Sequence, residues 1–373
     1  MSHQELPKVD NKRVIRLVPP VLTQDRIVGF KAGLRPFRKG GVRLEEEKIG
    51  NKVFFHNYGH GAGGVSVGYG YSTLAFNKFA SKYHDAHDAK KVAIVGSGYI
   101  GLFTSLLLRE NGYDVTIYAD KTIKTQGFSN PDSDDKSLPT TSQIAGGFWV
   151  PYGYDFNCSA EARETHELAC RLSFAFYEKA LHHKNIRGVS YKKTVHVDSI
   201  DYIKRSVPNG LIKDYEDVKV TFNGVDLIDA HYFTTLLIDG DLFLNDLKQE
   251  CIRKGVQFVD RHFNTVNDML SLEERFIFNC TGCSAGKLFN DPNVYPLKGQ
   301  LVAFKPTPGV DYFFRTQIEN GAFVSFYPQQ DVLPVGLVEQ KDDWNPRPTV
   351  ETCNRIAQNA IKYFEKYNTA PKL

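Results

Sequence analysis

The chain has 373 residues, room for one large domain or two but not for an array. Apolar residues make up 42% and charged residues 24%, which allows a full core and excludes disorder as the main state. With 46 Lys+Arg against 43 Asp+Glu, the formal charge of +3 is too balanced to point to nucleic acid or an anionic membrane as the main partner.

Residues 14–17 and 26–30 are apolar stretches among prolines and basic residues. Residues 52–58 read as a strand. A glycine-dense turn, HNYGHGAGG at 56–64, follows it. Residues 71–79 have helical spacing, and the polar run 81–91 reads as a linker. Residues 91–95 (KVAIV) are a continuous apolar strand, apolar on both faces as a buried parallel strand requires. Gly96-Ser97-Gly98-Tyr99-Ile100-Gly101 turns into an apolar helix over 102–110, ended by Asn111-Gly112. Residues 115–118 form a second strand, closed by Asp120. Residues 122–140 read as an exposed polar loop. Helices are expected at 161–181, 243–255 and 349–367, and strands at 276–280, 300–304 and 333–338.

The six cysteines, Cys158, Cys170, Cys251, Cys280, Cys283 and Cys353, are scattered, unlike a secreted disulfide scaffold. The opening MSHQELPKVDNKR has no apolar signal core. The longest apolar run, 92–108, is too short and glycine-interrupted for a membrane span. The expectation is a reduced, cytoplasmic protein. The closing Pro371-Lys372-Leu373 only loosely matches a peroxisomal tripeptide. Cys280 and Cys283 form a C-x-x-C without a second pair, so a structural reading outweighs a metal or redox one and no metal is expected.

Strand, G-x-G-x-x-G turn, helix and an acid 19 residues after Gly101 together form a dinucleotide-binding unit. Gly96 permits the turn, Gly98 lets backbone approach a pyrophosphate, and Gly101 lets the helix pack on the strand. The free N–H groups of Tyr99 and Ile100 face the phosphates, and Asp120 suits ribose hydroxyls. The spacing alone leaves NAD and FAD open.

Three further segments resemble the D-amino-acid oxidase family. TTSQIAGGFWVPY at 140–152 is similar to its flavin-contacting segment. NCTGCSAG at 279–286, with Pro296 to Gln300 behind it, is similar to its NCTG segment. GLRPFR at 33–38, then Val42-Arg43-Leu44-Glu45, then the 56–64 run, resembles its substrate-arginine strand and closing glycine loop. In the family the G-x-G-x-x-G comes first and the HNYGHG run last; here the order is reversed, as in a circular permutation.

The resemblance implies a Rossmann-like FAD-binding domain (43–149 plus 239–299) and a mixed-sheet α+β substrate domain (11–42, 151–238 and 300–373). It implies non-covalent FAD held by Gly96, Gly98, Tyr99, Ile100, Gly101, Asp120, Thr140, Thr141, Ser142, Gly146, Gly147, Thr281 and Gly282. Gly61, Ala62, Gly63, Gly64 and Ser66 would wrap the pyrimidine end of the flavin, with Phe263 near the adenine. Arg35 matches the arginine that holds the substrate carboxylate, while Arg38 and Arg43 read as structural. His60 reads as structural or flavin-adjacent rather than as a base. Phe148, Val150 and Tyr152 would line the substrate pocket. The family's active-site tyrosines fall in 321–328, where either Ser325 or Tyr327 takes a tyrosine position. The implied activity is oxidation of a C–N bond in a small amino acid or amine, with hydride transfer to flavin N5, imine release and reoxidation by O2 to hydrogen peroxide. The rivals are a biosynthetic flavin oxidase or dehydrogenase acting on a non-standard amine or imino acid, and a non-catalytic flavin-binding protein.

Overall fold

The computed structural model describes residues 12–120, 128, 139–319 and 321–369. Most of the stretch expected as an exposed loop, 122–140, lies outside the described residues.

The first half of the chain contributes β1 (Val14–Leu17), β2 (Ile27–Arg38), β3 (Arg43–Ile49), β4 (Lys52–Tyr58), α1 (Gly64–Tyr83), β5 (Lys91–Val95), α2 (Tyr99–Glu110), β6 (Asp114–Ala119), α3 (Thr141–Ile144) and α4 (Ala160–Ala180). The second half contributes β7 (Val189–His196), α5 (Asp201–Ser206), β8 (Lys213–Phe222), β9 (Val225–Ile238), α6 (Gly240–Arg253), β10 (Gln257–Asp260), α7 (Val266–Leu270), β11 (Phe276–Asn279), α8 (Ser284–Leu288), β12 (Val294–Phe304), β13 (Tyr312–Gln317), β14 (Phe323–Phe326), β15 (Leu333–Lys341) and α9 (Val350–Thr369).

Two sheets organise these elements into a mixed α/β fold. The smaller runs β10-β6-β5-β11-β4-β3, parallel except for the β3 edge. Its inner strands are apolar on both faces because both are covered. Val53, Phe55, Val92 and Ile94 point into the helical layer of α1, α2, α4 and α6. Phe54, Ala93, Val95 and Ile277 point the other way, onto Met269, Leu272 and Leu288. The larger sheet runs β1-β8-β9-β7-β13-β14-β15-β12-β2. One face is closed by α9, whose Ile356, Ala357, Ala360 and Phe364 pack on Phe222, Phe314 and Phe326. The opposite face carries Phe233 and Phe313 toward the helical layer.

The smaller sheet draws its strands only from 43–119 and 257–279. β12 runs through the expected domain boundary at 299/300 and belongs wholly to the larger sheet.

The helix expected at 71–79 begins seven residues earlier, and its end consumes the start of the expected linker. Its glycines hid it. A Cβ on Gly70 would fall on the backbone of Ala169 in α4, and one on Gly68 would lie 2.8 Å from Ile100 Cδ1 in α2. These glycines are the contact surface of a helix pressed between two others.

Candidate active site

The turn after β5 is built by exclusion. Gly96 has φ +110°, and a Cβ there would strike the Cys280 carbonyl, so the NCTG strand end lies against the turn. A Cβ on Gly101 would collide with the Gly96 carbonyl oxygen. Gly98 caps α2 with no side-chain bond, and its Cβ would meet only Ser142 Oγ, at 2.9 Å. The Tyr99 N–H donates to that same hydroxyl at 3.1 Å. The first turn of α2 therefore presents backbone donors, and the positive end of the helix, to the space beside Ser142. Ile100 turns away from it and packs at Gly68.

Thr140 caps α3 in a box with Gln143, which fixes Thr141 and Ser142 at the start of that short helix. Gly147 takes φ +86° with its Cα against the Ile238 carbonyl. Asp120 directly follows β6 and accepts from His262 Nδ1 at 2.6 Å. Phe263, expected beside the adenine, is buried against Tyr118, Met269 and Val95 as part of the core under the sheet. Thr281 donates through its hydroxyl to Asn279 Oδ1 at 2.8 Å, and Asn279 Nδ2 meets His56 Nδ1 at 3.0 Å. That contact ties the NCTG turn to the HNYGHG strand, β4, which pairs with β11 in parallel register. Gly282, at φ +60°, faces Pro36.

The glycine loop runs straight into α1. Gly61–Gly63 is a single tight turn, and Gly64 opens the helix, so the loop is a second helix N-terminus. Gly63 approaches the Tyr152 carbonyl, where a Cβ would sit 3.0 Å away, with Ala62 beside Gly153. Ser66 is fully buried and donates to the Val150 carbonyl at 2.8 Å. Its hydroxyl thus joins the loop to the 140–152 segment. His60 is buried with Nε2 unpartnered, and burial depresses its imidazole to about 3, so it is neutral. Behind it lies a cavity of about 830 Å³ lined by His60, Tyr71, Tyr154, Cys158 and His166.

The larger sheet supplies the other wall. On β2 the side chains of Gly33, Arg35 and Phe37 share one face. At one end a Cβ on Gly33 would press on Ile144 and Thr141; at the other, Phe37 covers Gly61 and Gly153. Arg35 therefore sits between the two glycine segments. Its guanidinium lies over Gly299, where a Cβ would collide with it, and Nη1 pairs with Glu339. Arg38 pairs with Asp291 at 2.8 Å, and Arg43 with Glu45 and Glu47.

Phe148 stacks on Phe313 at 4.2 Å and Tyr152 on Tyr202 at 5.3 Å, while Val150 is buried beside them. The Tyr327 ring lies over Gly146, where a Cβ would be 2.5 Å away, and meets Phe313 edge-on. Ser325 is turned into the sheet, its hydroxyl donating to the Gly336 carbonyl. Of the two alternatives for the tyrosine position, only Tyr327 presents a ring and hydroxyl on the side of the 140–152 segment.

The model of the FAD-dependent oxidoreductase (DAO) family matches residues 91–371. The chain belongs to that family. A D-amino-acid oxidase of Streptomyces coelicolor is 27% identical, covering 72% of this chain and 76% of that protein. A human D-aspartate oxidase is 24% identical over 72% of this chain and 74% of its own length. Among solved structures, glycine oxidase from Bacillus cereus aligns with a TM-score of 0.48 and 16% identity, over 73% of this chain and 77% of that one.

The cradle of this FAD-dependent oxidoreductase suits its cofactor. Gly96 and Gly101 leave no room for side chains, Gly98 leaves its face open toward Ser142, and each of the two glycine turns opens a helix. Among the described residues no helix is long and apolar enough to cross a membrane. Cys280 and Cys283 are not joined in a disulfide, and burial pushes the Cys280 thiol up to about 12.

Sequence reasoning missed several residues here. Lys31 is buried on the Arg35 face, 3.7 Å from Asp241; its spacing of four from Arg35 along one strand was the available signal. His196 is buried with both ring nitrogens unpartnered, among Phe148, Phe233 and Phe313. Glu339 came near Arg35 only through strand register.

Proposed function

We propose that the protein oxidises the C–N bond of a small amino acid or amine. FAD, bound without a covalent link, supplies the two-electron acceptor, taking a hydride at N5 and passing the electrons to O2 as hydrogen peroxide. The six-stranded sheet and its helices carry the cofactor, and the nine-stranded sheet carries the substrate. Gly96, Gly98 and Gly101 admit the pyrophosphate to the start of α2, and Asp120 takes ribose hydroxyls. Thr141, Ser142, Gly146 and Gly147 border the ring on one side, and Gly61 to Gly64 on the other. Arg35 holds a carboxylate. Phe148 and Phe313 exclude water, and Tyr327 offers a hydroxyl from over Gly146.

The observation that carries this reading is the position of Arg35. One β-strand face offers, in sequence, a contact to α3, a guanidinium and a contact to the glycine loop. A bidentate fork placed there suits a carboxylate whose α-carbon lies between the two segments. The relatives named as amino-acid oxidases support it.

We also infer a permuted chain order. The family match begins at Lys91, the first residue of β5, so the HNYGHG strand precedes it in the chain yet lies beside β11. Asn368 donates to the Pro20 carbonyl at 3.0 Å, which puts the end of α9 against the segment after β1. Such proximity is what a relinked chain needs.

The test is anaerobic addition of amines to the yellow protein. Bleaching of the flavin by at least one amino acid or amine is expected, with peroxide on readmission of air. A flavin that none of a broad panel bleaches would reduce the protein to a flavin binder; bleaching without peroxide would make it a dehydrogenase.

A further inference from the structure

The Arg35 fork is half used. Nη1 is paired with Glu339, while Nε and Nη2 lie over Gly299 and make no other hydrogen bond among the described residues. That edge is the bidentate one, the edge a substrate carboxylate would take. Gly299 is flanked by Gly33 of β2 and by Glu339 of β15 across the sheet, so the fork and the carboxylate lie on one face. The Glu339 side chain is 49% exposed, against 17% for Arg35. One end of it faces the guanidinium and the rest faces outward. It also lies near Tyr202, which stacks on Tyr152 in the expected pocket; burial first, and Glu339 among the nearby charges, raise the Tyr202 phenol.

We propose that Glu339 is a specificity-determining residue that selects substrates carrying a second, cationic group beyond the α-carbon, such as diamino or guanidino acids. This rests on the functional reading above and narrows it. A purely anionic substrate gains less from Arg35, because Glu339 already offsets its positive charge. An uncharged side chain gains nothing from Glu339. A side-chain ammonium or guanidinium can meet the outward carboxylate oxygen while the α-carboxylate takes the free edge of the fork. Two further carboxylates lie near this face. Asp155 and Asp342 act on Tyr295 after burial, and Tyr295 packs against Phe37, the next residue on the Arg35 face. Lys341, the neighbouring cation on β15, is engaged over the Tyr295 ring at 4.9 Å.

The experiment compares racemic lysine with racemic norleucine, which keeps the chain and lacks the ammonium. Anaerobic flavin reduction gives the ratio of their second-order rate constants in the native protein and in Glu339→Gln. Both substrates carry the same α-carboxylate, so any effect of the change on Arg35 cancels in the ratio. The native ratio should favour lysine by about tenfold, the size of one charge-assisted contact, and Glu339→Gln should bring it near unity. A Tm and a flavin spectrum matching the native protein establish that the variant is folded. An unchanged ratio overturns the proposal. So does an equal loss on both substrates, since Glu339 would then act on a group every substrate has. If norleucine bleaches the native flavin, the functional reading stands whatever the ratio. If neither substrate does, this inference falls, and the functional reading is decided separately by the broad panel of amines.

Discussion

Gly98 and Gly101 lie three residues apart in one turn, and the structure assigns them different costs. A Cβ on Gly98 meets only Ser142 Oγ, at 2.9 Å, the movable end of a small side chain. Gly98→Ala therefore loses at most the Tyr99 N–H bond to that hydroxyl, about 1 kcal/mol, or a few degrees of Tm for a chain of this size. It does place a methyl where, on the proposed function, a pyrophosphate would approach backbone. Gly101→Ala drives a methyl into the Gly96 carbonyl, which cannot rotate away, and α2 has to shift off β5. Overpacking of that kind costs about 1–3 kcal/mol. The assay is Tm of each apo-protein with and without FAD. At about a hundredfold excess over Kd a bound cofactor stabilises by about 2.7 kcal/mol. The native protein should show that gain. Gly98→Ala should have a near-native apo Tm and no gain, whereas Gly101→Ala should have a lowered apo Tm. Native FAD stabilisation in Gly98→Ala would refute the pyrophosphate approach at this turn. A native apo Tm in Gly101→Ala would refute the tight strand–helix packing.

Arg35→Ala should leave the flavin spectrum intact and lower kcat/KM for an amino acid by about two decades, with a much smaller loss on the corresponding simple amine; Arg35→Lys should recover little. Phe364→Ala, emptying the centre of the core under the nine-stranded sheet, should destabilise by about 3–5 kcal/mol, read by urea unfolding of the FAD-loaded protein. Acid should unfold the protein through its buried neutral histidines. Burial lowers His60 and His196 to about 3 and His166 to about 4, so below the unfolded value of 6.5 the unfolded chain binds more protons. Their contribution is complete above pH 6.5 and falls toward pH 3–4, by up to about 1.4 kcal/mol per pH unit for each; Tm of the double variant His60→Asn, His166→Asn should fall less steeply over that range.

Local signals were legible where chemistry and period coincide. The β5–α2–β6 unit could be read because apolar runs, three glycines and an acid occupy fixed offsets over about thirty residues. Register was not legible. Arg35 and Glu339 meet because β2 and β15 flank β12, and no local pattern states that pairing. Ser325 looked as good as Tyr327 because both lie at the end of one short strand. The ladder beside Gly336 turns one hydroxyl inward, and the turn after β14 sends the other ring over Gly146. Likewise α1 was clipped because helix propensity counts glycines against it, while tertiary contact with Ala169 and Ile100 requires them.

The arrangement of the site depends little on the order in which its segments are threaded. Arg35, Gly61 and Thr141 are brought together by a face of β2 and by the positions of β4 and β5 on either side of β11, all of them set by lateral pairing. In the permuted order proposed above, α1 hands over to β5 through the short stretch 84–90, and the packing of α1 on α2 keeps that connection short. A relinked chain changes loop-closure terms, which vary slowly with length. The side-chain contacts that fix the turn at Gly96 and the fork at Arg35 are unaffected. Selection on chemistry would then act on the contacts and leave the connectivity free, so that a segment such as the 96–101 turn is recognisable wherever it falls in the chain order.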